Sequence, residues 1–118
     1  MKGSPEAREI AVALARHCRK SLQTREAIVR TPWSERAGTG IVVTDPHWDS
    51  LHAHYVFGIA RYERGEPVWR FNVKVPPNLD VRVEPHRMNA DEEPPYEVTD
   101  CVMHSIDAVY ASLERKRR

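Results

Sequence analysis

Apolar residues recur along this chain at two different periods. Ala7, Ile10, Ala11, Leu14, Ala15, Cys18 and Leu22 fall three or four apart, the spacing that gathers side chains on one face of a helix. Ser4 and Pro5 precede that stripe. Serine caps free backbone donors and proline is tolerated at the first helical position, so a helix is predicted to open there. It either continues through Ala27 and Ile28 or breaks near Thr24, and Pro32 ends it. A second stripe, Val102, Met103, Ile106, Val109, Tyr110 and Leu113, follows Thr99 and Asp100, either of which can cap a C-terminal helix.

Between the two stripes the period drops to two. Residues 39–44 read as a short strand, and residues 45–50, Asp-Pro-His-Trp-Asp-Ser, as a turn-forming loop. Residues 52–62 and 66–75 alternate on either side of Glu63-Arg64-Gly65. A two-residue turn at Arg64-Gly65 would force arginine to a positive φ. The spacing therefore predicts a three-residue loop with a bulge at Gly65 and with Tyr62 facing Glu66. That register sets Phe57 beside Phe71 and Ile59 beside Trp69 on an apolar face, and His54 beside Lys74 on the other. Leu79, Val81 and Val83 alternate with polar residues and predict a fourth strand. Residues 85–96, rich in proline and carrying Asp91-Glu92-Glu93, read as an acidic loop.

The expected fold is α+β, with two layers: a four-stranded antiparallel sheet with the N- and C-terminal helices on one face, in the order α-β-β-β-β-α. Residues 1–118 form one domain, with a basic tail at 115–118. A chain of 118 residues can bury a core without disulfide or metal staples. No apolar run approaches the length of a membrane span, and no apolar leader core follows Met1. The expectation is a soluble cytoplasmic protein without a membrane partner, with Cys18 and Cys101 as reduced thiols.

Charge changes the picture only locally. The net charge of +1 excludes a strong global basic field. Residues 1–36 carry a net +4, residues 37–85 a net −1, residues 86–114 a net −6 and the tail a net +4. Two basic groups stand out. One is Arg70, Asn72 and Lys74 with His54 and Tyr62 on the open sheet face, where Gly58 and Ala60 leave room and Tyr62 can stack on a base. The other is Arg16, Arg19 and Lys20 on the first helix. The order of elements resembles, in outline, that of double-stranded-RNA-binding domains, which implies phosphate contacts from helices and loops. The lysine-rich start of the last helix in those domains is replaced here by Thr99-Asp100-Cys101.

The densest chemistry-bearing cluster is Asp45, His47, Asp49, His52 and His54. His52 and His54 lie two apart and would leave the same face of a strand, with His47 or Asp49 supplying a third ligand, a set suited to zinc. Cys101 and His104 lie three apart at the predicted start of the last helix, the outline of a nucleophilic pair, although a core thiol is the commoner role for cysteine. No phosphate-binding glycine loop, nucleophile elbow or paired CxxC motif occurs. The leading expectation is thus a non-enzymatic interaction module for an anionic partner, either nucleic acid or an acidic protein segment. The alternatives are a small metal-binding protein or enzyme built on His47, Asp49, His52 and His54, and a homodimeric structural or adaptor protein. Trp33 and Trp48 either anchor such an interface or close the ends of the core.

Overall fold

The computed structural model describes residues 5–23, 40–85 and 95–116. Helix α1 spans Pro5–Gln23 and helix α2 spans Tyr96–Lys116. Between them, among the described residues, lie five strands: β1 (Gly40–Val43), β2 (His47–Asp49), β3 (His54–Glu63), β4 (Glu66–Val75) and β5 (Arg82–Pro85). All pair antiparallel, in the order β1-β3-β4-β5, with β2 also on β3. This is the expected helix–sheet–helix arrangement with one strand more than the alternation predicts.

The extra strand arises at the edge of β3. Residues 45–50 read as a loop, yet His47–Asp49 pair with His54–Val56, while β1 pairs with Ile59–Tyr62 further along the same edge. Thr44 bridges the gap: its backbone nitrogen donates to the Gly58 carbonyl at 2.9 Å. The Gly58 nitrogen donates back to Thr44 Oγ1 at 2.7 Å. Between the two registers Asp45 is one residue too many. Thus β1 and β2 form one edge strand interrupted by a bulge at Asp45-Pro46, a place where proline's missing donor costs no ladder bond.

The β3–β4 hairpin corrects the predicted turn. Glu63 pairs with Glu66 and Tyr62 with Pro67, so the turn has two residues. Arg64 and Gly65 both take positive φ, 50° and 82°, the geometry that matches strand twist in a tight hairpin. Alone, that turn would set Phe57 opposite Asn72. The register instead shifts between Arg61 and Tyr62, and Arg61 pairs with Trp69, leaving Val68 as the extra residue. The bulge sits beside Pro67, which has no N–H to give to the ladder. It restores parity, so Phe57 pairs with Val73, Ile59 with Phe71 and Tyr55 with Val75. The apolar face is therefore the expected one, although every pair along it is displaced by two residues.

That face is the core. Phe57, Ile59, Trp69, Phe71, Val73 and Val75 are buried with Ile41 and Val43 from β1. The predicted stripe of α1, from Ala7 to Leu22, is wholly buried in the same cluster, and α1 packs on β1, β3 and β4. Full burial of each large apolar side chain contributes roughly 1.5–3 kcal/mol. Helix α2 packs against α1 and adds Val98, Val102, Ile106 and Val109 to the core. The Tyr110 hydroxyl donates to the Leu79 carbonyl, tying α2 to the chain before β5. Met103, expected on the buried stripe, is exposed, and Ser105 is buried instead. Trp48 packs edge-on against Tyr55, ring centroids 5.1 Å apart, and so closes the end of the core. Trp33 lies outside the described residues.

Two further boundaries move. The fourth predicted strand starts at Arg82 rather than Leu79, because Pro76–Leu79 form a turn closed by a 2.9 Å bond from the Leu79 nitrogen to the Pro76 carbonyl. Leu79 there has φ 66°. The last helix begins at Tyr96, upstream of the predicted cap, with the Val98 nitrogen donating to the Pro95 carbonyl at 3.0 Å. Of the acidic segment 85–96, residues 86–94 lie outside the described residues. No described helix is long and apolar enough to cross a membrane.

Candidate metal centre

Asp49 ends β2, His54 begins β3, and the turn 50–53 joins them. Asp49 organises that turn. Its Oδ1 accepts the Leu51 nitrogen at 3.1 Å and the His52 nitrogen at 3.4 Å, local bonding typical of aspartate at a turn. Ala53 completes the reversal at φ 54°. His52 is therefore a turn residue and not, as its spacing suggests, a strand neighbour of His54. The turn brings the rings together all the same: they stack 5.5 Å apart at 10°.

Asp49 Oδ2 faces both rings. It lies 2.8 Å from His52 Nδ1 and 3.4 Å from His54 Nε2. One ligand atom from each of the three residues lies within 4.8 Å of the others. The set is graded in exposure: the His52 side chain is 58% accessible, Asp49 29% and His54 11%. Two imidazoles and one carboxylate converging with an open side is a donor set for zinc, iron or related ions. Donor–metal distances near 2.0–2.1 Å imply about 3.3 Å between tetrahedral donors, and the His54–Asp49 separation already meets that. The His52–Asp49 contact is a hydrogen bond, which a metal would open slightly.

The electrostatics suit a neutral, ligand-competent His54. Its Nε2 is buried and makes no hydrogen bond. Burial lowers its pKa from the ordinary 6.5, and Lys74 lowers it further, against the opposing pull of Asp49. Asp49 itself is held below the usual carboxylate range, chiefly by its hydrogen bond from His52. Lys74 would repel a cation if free. Its ammonium, however, donates to Glu84 Oε2 at 2.6 Å, and Glu84 is correspondingly held low by that bond.

His47, the other expected ligand, pairs with Val56 and is exposed one step along the same face, outside the three converging groups. Arg70, Asn72 and Lys74 do share the outer sheet face with His54: Ala60, Gly58 and Val56 are their respective partners on β3. Tyr62 lies at the end of that face. Its ring is buried, with its pKa raised by that burial, so it offers little surface for stacking on a base. The basic residues of α1 do not join this face, because α1 covers the opposite, apolar side of the sheet. Arg19 is turned to the sheet edge, where Nη2 donates to the Val43 carbonyl and to Asp45 Oδ1, each at 2.9 Å. Arg16 and Lys20 are exposed.

Cys101 and His104 form no pair. His104 lies 3.6 Å from Asp100 Oδ2 instead, and Cys101 sits in the second turn of α2, beyond the first turn where helix dipoles act most. Both cysteines are free. The sequence reading missed Ser105, buried between the helices, and Thr44 and Glu84, whose partners are distant in sequence. Only the hydroxyl at an otherwise apolar helical position signals Ser105. No protein-family model, no curated protein and no solved structure matches this chain.

Proposed function

We propose that this chain binds a divalent transition metal, with zinc the best fit, through Asp49, His52 and His54. The observation that carries the reading is the buried, hydrogen-bond-free Nε2 of His54 beside a carboxylate oxygen at 3.4 Å. A buried nitrogen without a partner costs stability, and a metal supplies the partner. With three protein donors, such a centre keeps a position open for water or an external ligand. The test is titration of the metal-free protein with zinc or cobalt(II), read by calorimetry and by visible absorption of the cobalt form. One ion per chain should bind. His54→Ala and Asp49→Asn should each lose that binding while retaining the wild-type far-ultraviolet circular dichroism. Equal affinity in wild type and both variants would remove the proposal.

A second reading, binding of an anionic partner on the outer sheet face, rests on a separate observation. A methyl group added at Gly58 would sit 3.5 Å from Thr44 Oγ1, 3.6 Å from Asn72 Oδ1 and 3.9 Å from Arg70 Nε. A methyl would thus be in ordinary contact with all three groups, and the guanidinium of Arg70 is the one of them that can attract an oxyanion such as a phosphate or a carboxylate at this face. Arg70 is the available cation, since Lys74 is engaged by Glu84. Binding of a single-stranded oligonucleotide should weaken with salt and be lost in Arg70→Glu. Unchanged affinity in that variant would rule this face out.

A further inference from the structure

Helices α1 and α2 run antiparallel. His17 meets Ser105, whereas Pro5 lines the same groove as Lys116. Along their outer side they leave that groove open, a space of about 920 Å³. Its floor is apolar and shallow: Val12, 36% exposed, with Ala13, Ala108 and the half-buried Leu113. Alanines here let another backbone come close. Its rims are cationic. Among the described residues, Arg8, Arg16, Lys20 and Lys116 line it against a single acid, Glu9. Among the described residues none of these four cations forms an ion pair.

We infer that this groove docks an acidic amphipathic helical segment of a protein partner. Arg8, Val12, Arg16 and Lys20 recur every four residues on one line of α1. From Arg8 to Lys20 that line is about 18 Å long at 1.5 Å per residue, a length that roughly three turns of a docked helix cover. Such a helix places apolar residues on Val12 and Leu113, and carboxylates at i and i+4 opposite the rims. Nucleic acid fits the groove less well. Among the described residues its floor offers no exposed aromatic platform, because Tyr55, which lines it, is 7% exposed. A two-fold copy of this chain would set the same cations against themselves. The groove lies on the helical side of the sheet, and Asp49, His52 and His54 do not line it.

The test is selection of a random-sequence peptide library displayed on phage against the whole chain, followed by affinity measurement on the selected peptides. The expected sequences carry Asp or Glu and large apolar residues at spacings of three and four. Their affinity should fall at least about tenfold in the Arg16→Glu, Lys20→Glu double variant, since two attractive rim pairs become repulsive. Both residues are exposed, and an unchanged thermal midpoint checks that the fold is kept. Val12→Lys separates the two contributions. It adds a cation but removes apolar floor, so it should weaken binding. Four results overturn the inference: no enrichment, selected peptides without an acidic excess, unchanged affinity in the double variant, or tighter binding by Val12→Lys.

Discussion

His17 and Ser105 meet across the two helices, imidazole Nδ1 to hydroxyl Oγ at 2.8 Å. The Ser105 hydroxyl donates to the Cys101 carbonyl at 2.9 Å, so it accepts from His17 Nδ1. A buried serine in an apolar stripe is thereby satisfied twice, and the same contact fixes the register of α2 on α1. Ser105→Ala should cost about 1 kcal/mol, the usual net worth of such a bond. Thermal unfolding should show a midpoint lower by roughly 3–6 °C. No change would mean that the helices are registered by apolar packing alone.

His54 makes stability depend on pH. Its folded pKa lies below its ordinary 6.5, so the unfolded chain takes up the proton first as the solution is acidified. The stability associated with neutral His54 is complete above 6.5 and falls as pH drops below it toward the folded pKa. Urea midpoints in metal-free protein should therefore decrease from pH 7.5 to pH 5.5. The decrease should be smaller in His54→Gln, which cannot titrate. Bound metal should be released over the same range, because protonated imidazole is no ligand. An equal pH slope in wild type and variant would assign the effect to other groups.

The two thiols should differ sharply in reactivity. Burial pushes the Cys18 thiol up to about 11, although its hydrogen bond with Ser105 pulls the other way. Cys18 is thus protonated and enclosed at neutral pH, while Cys101 is half-buried. A short exposure of native protein to iodoacetamide should alkylate Cys101 alone, with Cys18 reacting only in denaturant. Peptide mass spectrometry reads this directly. The raised Cys18 pKa also predicts that stability declines as pH rises from 9 toward 11, since the unfolded thiol ionises first. Fast labelling of Cys18 in native protein would contradict the packing described.

Local periodicity carried most of the fold into view, and long-range pairing hid the rest. The α1 stripe and the aromatic face of β3 and β4 follow from side-chain spacing alone, because burial of a face needs only the right period. The β2 strand does not. Trp48 is held by Tyr55 across the sheet, and nothing within residues 45–50 announces a free edge beside them. The candidate metal site was legible as a composition, Asp49 with His52 and His54, but not as a geometry. Alternation along a strand suggested convergence for the wrong reason, and the reversal at Ala53 supplies it. His47 follows the strand's alternation faithfully and for that reason stays out of reach of the other three groups. Ser105 and Thr44 act through contacts far apart in sequence, where spacing has nothing to say.

The hairpin turn offers the sharpest stability test. Arg64 sits at φ 50° before Gly65 at φ 82°, a pair of left-handed positions for which Asn-Gly is the favoured sequence. A branched-free but bulky residue such as arginine carries a penalty there that asparagine largely avoids. Arg64→Asn should therefore stabilise the protein by about 0.5–1 kcal/mol, seen as a midpoint higher by several degrees. Gly65→Ala should do the reverse by a similar amount, since alanine is strained at positive φ. The predicted three-residue loop gives different expectations. There Arg64 has no need of a positive φ, so the asparagine variant gains nothing while the alanine variant still loses. Gain in Arg64→Asn with loss in Gly65→Ala selects the two-residue turn. That turn, with the compensating bulge at Val68, is what keeps Phe57 and Phe71 inside and Arg70, Asn72 and Lys74 on the outer face.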